Sequence, residues 1–333
     1  MQEFPKIELH LHLDCSLSYK AVSALAPEVT PHEYESAFRA PSKCQNLAQF
    51  LSCAPSGFLL MQTAEALRLA VEDLFEQLAA DNVIYTEIRF APLLHLENGL
   101  TPLRVVEIVD KAVERMNSET GIEGRLLLCA LRHFSPRQSM TTAQLATHFL
   151  GSRVVGLDLA GDEAGYAIDV HIPAFRLAMD AGCCRTAHAG EALGPPSVWE
   201  VLQELQPTRI GHGVRSMEDP ALVDHLRRKR IHLEVCPSAN VQIIESLRHW
   251  SEHPIDRMLR AGLSLGVNCD SRTLTATTLR NEYQQLSDCF GWGREEFYRV
   301  NEMALDAAFV DETTRNTLRA KLESGYRQGA FPS

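Results

Sequence analysis

The chain has 333 residues, 45% of them hydrophobic and 23% charged, with a formal net charge of -11 and a pI near 5.6. This composition belongs to a folded protein with enough apolar residues for a large core. The acidic balance argues against nucleic acid or an anionic membrane surface as the main partner. Neutral and cationic small molecules stay open.

No apolar run is long enough to span a bilayer, and the first apolar strand begins by Ile7, which leaves no room for a signal peptide. The nine cysteines (15, 44, 53, 129, 183, 184, 236, 269, 289) form no C-x-x-C spacing. They read as reduced thiols of a cytoplasmic protein, most of them small buried hydrophobes.

Short apolar runs alternate with helical patterns along the chain. The predicted strands are Ile7–Leu13, Val83–Phe90, Arg125–Leu131, Val154–Leu159, Cys184–His188, Arg209–Gly211, Ile231–Val235 and Leu263–Asn268. Residues 14–62 form an unusually long segment after the first strand, read as a partly helical lid over the mouth of a site. Thr63–Ala80 follows, with Leu67, Val71, Leu74 and Leu78 on one helical face. Thr101–Met116 starts with Pro102 in its first turn, Ile172–Ala181 stops at Gly182, Ser197–Leu205 stops before Pro207, and Asp219 is placed to cap Pro220–Lys229. After Asn281 the chain is helical again and is expected to pack outside the sheet. Strands alternating with helices imply parallel βαβ units. Eight of them predict one domain over residues 1–333, a (β/α)₈ TIM barrel with an insertion after strand 1 and extra C-terminal helices. An open doubly wound sheet is the alternative.

Four fragments at strand ends carry chemistry. His10 and His12 lie two apart on a strand and so share a face. His188 ends a strand and is followed by Ala189, Gly190 and Glu191. His212 sits between Gly211 and Gly213. Asp270 ends the eighth strand. Imidazoles with a carboxylate suit a zinc-like divalent ion. The bland alternatives are a satisfied buried histidine at 188 and a helix N-cap at Asp270. Glu87 and Arg89 share a strand face and are expected to pair with each other inside the barrel. His133 could reach the pocket or be a core contact. The remaining histidines are expected at the surface or in loops, and Arg227–Arg230 reads as a solvated helix end.

The segments His10–Asp14, Val155–Glu163, His188–Glu191, Arg209–Gly213, Glu234–Asn240 and Asn268–Asp270, with Tyr85–Pro92, resemble the adenosine deaminase family of metal-dependent hydrolases. They occur in the family's order over nearly the whole chain. The resemblance implies a (β/α)₈ barrel, one Zn²⁺ per chain and deamination of adenosine or a close 6-aminopurine nucleoside. It implies that His10, His12, His188 and Asp270 bind the metal and that Glu191 protonates N1 of the purine. His212 would orient and help deprotonate the attacking water, with Asp270 sharing that role. The Gly161 N–H would meet N3, and Asp14 would accept from the ribose 5′-hydroxyl. Two positions depart from the family pattern. Cys15 stands where the family has Gly, and Ser271 stands where it has a second aspartate facing purine N7. The metal set and the acid are intact, whereas the base and ribose contacts are altered. A modified nucleoside such as aminodeoxyfutalosine, free adenine, or an inactive nucleoside-binding paralogue are therefore the alternatives.

Overall fold

The computed structural model describes residues 4–328. Eight parallel strands are hydrogen-bonded in sequence order: β1 Lys6–His12, β2 Val83–Phe90, β3 Glu123–Leu131, β4 Val154–Ala160, β5 Cys184–Ala189, β6 Arg209–His212, β7 His232–Val235 and β8 Ser264–Val267. Every strand is covered on both faces, as an all-parallel sheet requires. Alternation along β1 sorts its residues. Ile7, Leu9 and Leu11 belong to the apolar core, while Lys6, Glu8 and His10 are buried polar groups at the intervening positions.

Closure between β1 and β8 is made by the residues that end β8. The Asn268 side chain accepts from the Leu9 N–H (2.8 Å) and the His10 N–H (3.1 Å). The Asp270 N–H then donates to the His10 carbonyl, and the His12 N–H donates to the Asp270 carbonyl. The barrel is closed where the candidate metal ligands sit, which fixes Asp270 against both histidines of β1.

The helices form where their caps and periodicity place them. Thr63 caps Ala64–Ala80, which buries Leu67, Val71, Leu74 and Leu78. Thr101 caps Pro102–Thr120, which ends at Gly121 in the left-handed region. Asp219 caps Pro220–Lys229 through the Ala221 N–H. The helix Pro136–His148 has no counterpart among the predicted elements. Its buried face is Ser139, Thr142, Ala143, Leu145 and Ala146, too small and polar to give a clear apolar stripe. The C-terminal helix Arg294–Ala307 packs on the outside of β8 and β1, with the Asn301 side chain accepting from the Ile7 N–H.

The insertion holds four short helices, Tyr19–Leu25, Pro31–Ala37, Leu47–Leu51 and Pro55–Phe58. Among the described residues, no helix is long and apolar enough to cross a membrane. Five of the nine cysteines are buried and none is in a disulfide.

Candidate metal centre and active site

His10, His12, His188 and Asp270 meet at the C-terminal end of the strands, with one ligand atom from each all within 4.8 Å of one another. This is the end of the barrel where βα loops build sites. His10 Nε2 and His12 Nε2 each lie 3.4 Å from Asp270 Oδ1, and His12 Nε2 lies 3.2 Å from His188 Nε2. Carboxylates behind the imidazoles set which nitrogen is free. His10 Nδ1 bonds Glu234 at 2.9 Å, and His188 Nδ1 lies 3.2 Å from Asp158 and 3.0 Å from the Leu159 carbonyl. The Nδ1 protons are thereby spent outward, which leaves both Nε2 atoms as acceptors turned inward. His10 Nε2 is buried with no hydrogen-bond partner. An orphaned buried acceptor among two further imidazoles and a carboxylate fits a divalent cation of the zinc type.

Arg89 ties the outer groups together. It contacts Asp158 at 3.2 Å and Glu234 at 2.7 Å. The histidines and Arg89 hold Asp158 well below the usual carboxylate range, and Arg89 with Arg209 brings Glu234 to about 2. Both therefore stay ionised as acceptors for their histidines.

Backbone geometry marks the same spot. Asp270 (φ 65°) and His212 (φ 62°) both occupy the left-handed region. Non-glycine residues held there cost of order 1–3 kcal/mol and tend to cluster at functional sites. Gly211 is required by packing, since a Cβ there would lie 2.9 Å from His10 Cε1. The His212 ring lies beside His10 and His188, with centroids 4.8 and 5.2 Å away.

Glu191 is buried beside this cluster. Burial, then the Asp270 and Glu163 charges, push its carboxyl well above the ordinary value, against a hydrogen bond from Asn240 that favours the ionised form. Asn240 Nδ2 donates to Glu191 Oε1 at 2.8 Å and lies 3.1 Å from His212 Nδ1. A carboxyl kept neutral beside a metal-ligand set is equipped to deliver a proton.

A cavity of about 460 Å³ opens above the cluster, lined by His12, Asp14, Cys15 and Gly161 with walls from the insertion (Leu51, Phe58) and Tyr166. Its lining contains no Lys or Arg and includes two carboxylates, Asp14 and Asp162. Asp14 accepts from the Ala91 N–H at 3.0 Å, and burial raises it to about 6.

A family model described as adenosine deaminase matches residues 5–324. The chain belongs to the adenosine deaminase family. The adenosine deaminase of Lacticaseibacillus paracasei is 33% identical over 332 residues, covering 98% of this chain and 97% of that one. The solved adenine deaminase of Arthrobacter aurescens superposes with a TM-score of 0.89 at 24% identity, covering 97% of this chain and 99% of that one, and so supports the barrel fold. The Arabidopsis N6-mAMP deaminase superposes with a TM-score of 0.86 at 25% identity, covering 97% and 98%.

In this adenosine deaminase family member His10, His12, His188, Glu191, His212 and Asp270 come together, and Asp14, Cys15 and Gly161 line the cavity. Ser271 directly follows Asp270 and is buried, as Asp270, Glu191 and His212 are. Glu87 and Arg89 do not pair with each other. Glu87 is engaged by Arg209 and Tyr85, and Arg89 by Asp158 and Glu234. Residues two apart on one strand diverge enough that each finds its partner across the barrel. His133 lines the cavity at an exposed position. His95, His171, His232 and His253 are buried, each next to a polar partner, and His232 stands in a strand rather than at the surface or in a loop. Sequence reasoning assigned no role to Asp158, Glu163, Glu234 or Asn240. A charge inside an otherwise apolar barrel strand, as in β4 and β7, was the available signal, since it demands a buried partner.

Proposed function

We propose that this protein is a metal-dependent aminohydrolase that converts adenosine, or a close uncharged 6-aminopurine nucleoside, and water into the 6-oxo product and ammonia. The observation that carries this is Glu191, a buried carboxyl held neutral, set beside three imidazoles and a carboxylate, one of which, His12, lines a cavity with no Lys or Arg in its lining. His10, His12, His188 and Asp270 are the proposed ligands of one Zn²⁺. When bound, the ion brings a coordinated water's pKa to about 7 and so supplies a nucleophile at neutral pH.

The remaining steps belong to the chain's own groups. Glu191 delivers its proton to ring N1 as C6 is attacked, which accommodates the charge that develops on the ring. His212 and Asp270 hold the attacking water in place. The Gly161 N–H, at a residue with φ 100°, is assigned to purine N3. Asp14 is assigned to the ribose 5′-hydroxyl: one oxygen already accepts from Ala91, and the carboxylate faces the cavity. A 5′-phosphate would meet Asp14 and Asp162 without a guanidinium or ammonium in the lining, so nucleotides are disfavoured. The same carboxylate favours a nucleoside over the free base.

The test is ammonia release by zinc-loaded protein across adenosine, 2′-deoxyadenosine, adenine, AMP and a 5′-substituted nucleoside. Adenosine should exceed adenine and AMP in kcat/KM. A panel in which AMP is turned over best would overturn the substrate class.

A further inference from the structure

We infer that Asn240 and His253 are positioning residues that fix where the protons of Glu191 and His212 lie, through a chain of donors and acceptors starting at the backbone N–H of Ile255. The catalytic meaning rests on the function proposed above. The proton positions do not depend on it.

The chain begins with a group that can only donate. The Ile255 N–H donates to His253 Nδ1 at 3.1 Å, so that nitrogen is unprotonated. His253 is buried, and burial with the nearby Arg257 lowers it to about 3, so the ring is neutral at pH 7. Its one proton is therefore on Nε2. Nε2 lies 3.4 Å from Asn240 Oδ1 and donates to it. Reversing the amide would set N–H against N–H. The amide nitrogen is thereby turned the other way, toward Glu191 Oε1 at 2.8 Å and His212 Nδ1 at 3.1 Å. An amide nitrogen carries two protons, and each of these neighbours receives one.

Two consequences follow. Glu191 Oε1 is occupied as an acceptor, so the acid's own proton is on Oε2, the oxygen without a hydrogen bond to Asn240. His212 Nδ1 lies nearer the Asn240 amide nitrogen (3.1 Å) than Glu191 Oε1 (3.4 Å) and accepts from it, so the neutral imidazole carries its proton on Nε2. His212 therefore meets its neighbours in the pocket as a hydrogen-bond donor. It orients and does not take the water's proton, a task that falls to Asp270. This divides the role that the sequence reading gave jointly to His212 and Asp270. Asn240 and His253 touch no reacting atom in this scheme. Asn240 lies on the helix Pro237–Ile243 directly after β7, and His253 lies just before Ile255–Arg260, so both ends of the β7–β8 connection lock the polarity.

The test is long-range ¹H–¹⁵N correlation on zinc-loaded protein labelled with ¹⁵N-histidine. The spectra of His212→Gln and His253→Gln assign the two rings. Both rings should be neutral with the proton on Nε2. A wild-type His212 protonated on Nδ1, or on both nitrogens, at pH 7 overturns the inference. The second arm is Asn240→Asp, which keeps the shape and replaces two donors by acceptors. We expect kcat to fall at least about 10²-fold with KM within about threefold, and the His212 proton to move to Nδ1. A kcat within about threefold of wild type overturns it. Should Asn240→Asp not fold, the wild-type spectrum decides alone. Correct tautomers in a protein that deaminates no nucleoside would sink the functional proposal and leave the proton positions standing.

Discussion

Glu191 sits among influences that nearly all oppose its ionised form. Burial is the largest, the Asp270 and Glu163 charges add to it, and only the Asn240 amide acts the other way. Because Glu191 is not among the proposed ligands, Glu191→Gln should keep metal content and melting temperature near wild type. Turnover should drop at least about 10²-fold, the usual contribution of a placed general acid. Loss of the metal in this variant would assign Glu191 a ligand role instead. Ser271 carries a second prediction. A serine hydroxyl is a shorter donor than the protonated carboxyl the family places here, so it is expected to hold purine N7 less well. Comparing kcat/KM for adenosine and 7-deazaadenosine should show a small penalty in wild type and a larger one in Ser271→Asp. Equal penalties would mean that position 271 does not read the base. His232 carries the third. Burial first, then Arg209, lowers it from 6.5 to about 3, so the fold keeps it neutral. Below pH 6.5 the unfolded chain takes up a proton that the fold refuses, and stability is lost as pH falls toward the folded value. His232→Asn should remove that share: the stability difference between pH 7 and pH 5 should shrink by about 2 kcal/mol. Denaturant melts at the two pH values check this, and an unchanged difference would show that His232 is protonated in the fold.

At the scale of the element, the loop after β5 owes its shape to one carboxylate. Glu163 accepts from the N–H groups of Gly190 (2.7 Å), Glu191 (3.0 Å), Ala192 (2.6 Å) and Leu193 (3.0 Å), and from the Ser197 hydroxyl (2.6 Å). Four successive donors without intrahelical partners are thereby satisfied inside the protein. Each buried donor left alone costs about 1–3 kcal/mol. Glu163→Ala should therefore destabilise the protein by several such increments and cut kcat by about 10²-fold, because the acid's backbone is no longer held. Glu163→Gln should be milder. Its oxygen can keep the three N–H groups of Glu191, Ala192 and Leu193 while its amide donates to Ser197, which strands only Gly190. If the two variants melt and turn over alike, the oxygen array is not what positions the loop.

For the whole molecule, the candidate metal set spans β1, β5 and the end of β8, and the same backbone bonds that close the barrel hold Asp270 to His10 and His12. Metal binding and barrel closure are thus coupled. Chelation should abolish activity and also lower the melting temperature, since a ligand that binds only the folded state contributes stability, about 4 kcal/mol at a thousandfold excess over Kd. Metal analysis of the purified protein should return about one divalent ion per chain, and full activity in metal-free protein would defeat the proposal. Replacing Asp270 with Ala should weaken metal retention along with turnover.

Eight strands were legible nearly to their ends in the amino-acid pattern, because each is a short, mostly apolar run of the kind that an all-parallel sheet buries on both faces. The pattern also placed His10, His12, His188, Glu191, His212 and Asp270 at strand ends, since closely spaced imidazoles and carboxylates in apolar runs have few other uses. The helix Pro136–His148 escaped because small residues and threonines packed against a sheet leave no hydrophobic period. Pairing across the barrel was not legible in the sequence. Arg89 reaches Asp158 and Glu234 rather than its own strand neighbour Glu87. Glu163 and Asn240, remote in sequence from the groups they orient, meet them only once the loops converge at one end of the barrel. Periodicity records which face a residue takes. It carries no record of which residue on another strand stands opposite, because that is set by the stagger of strands in the closed barrel.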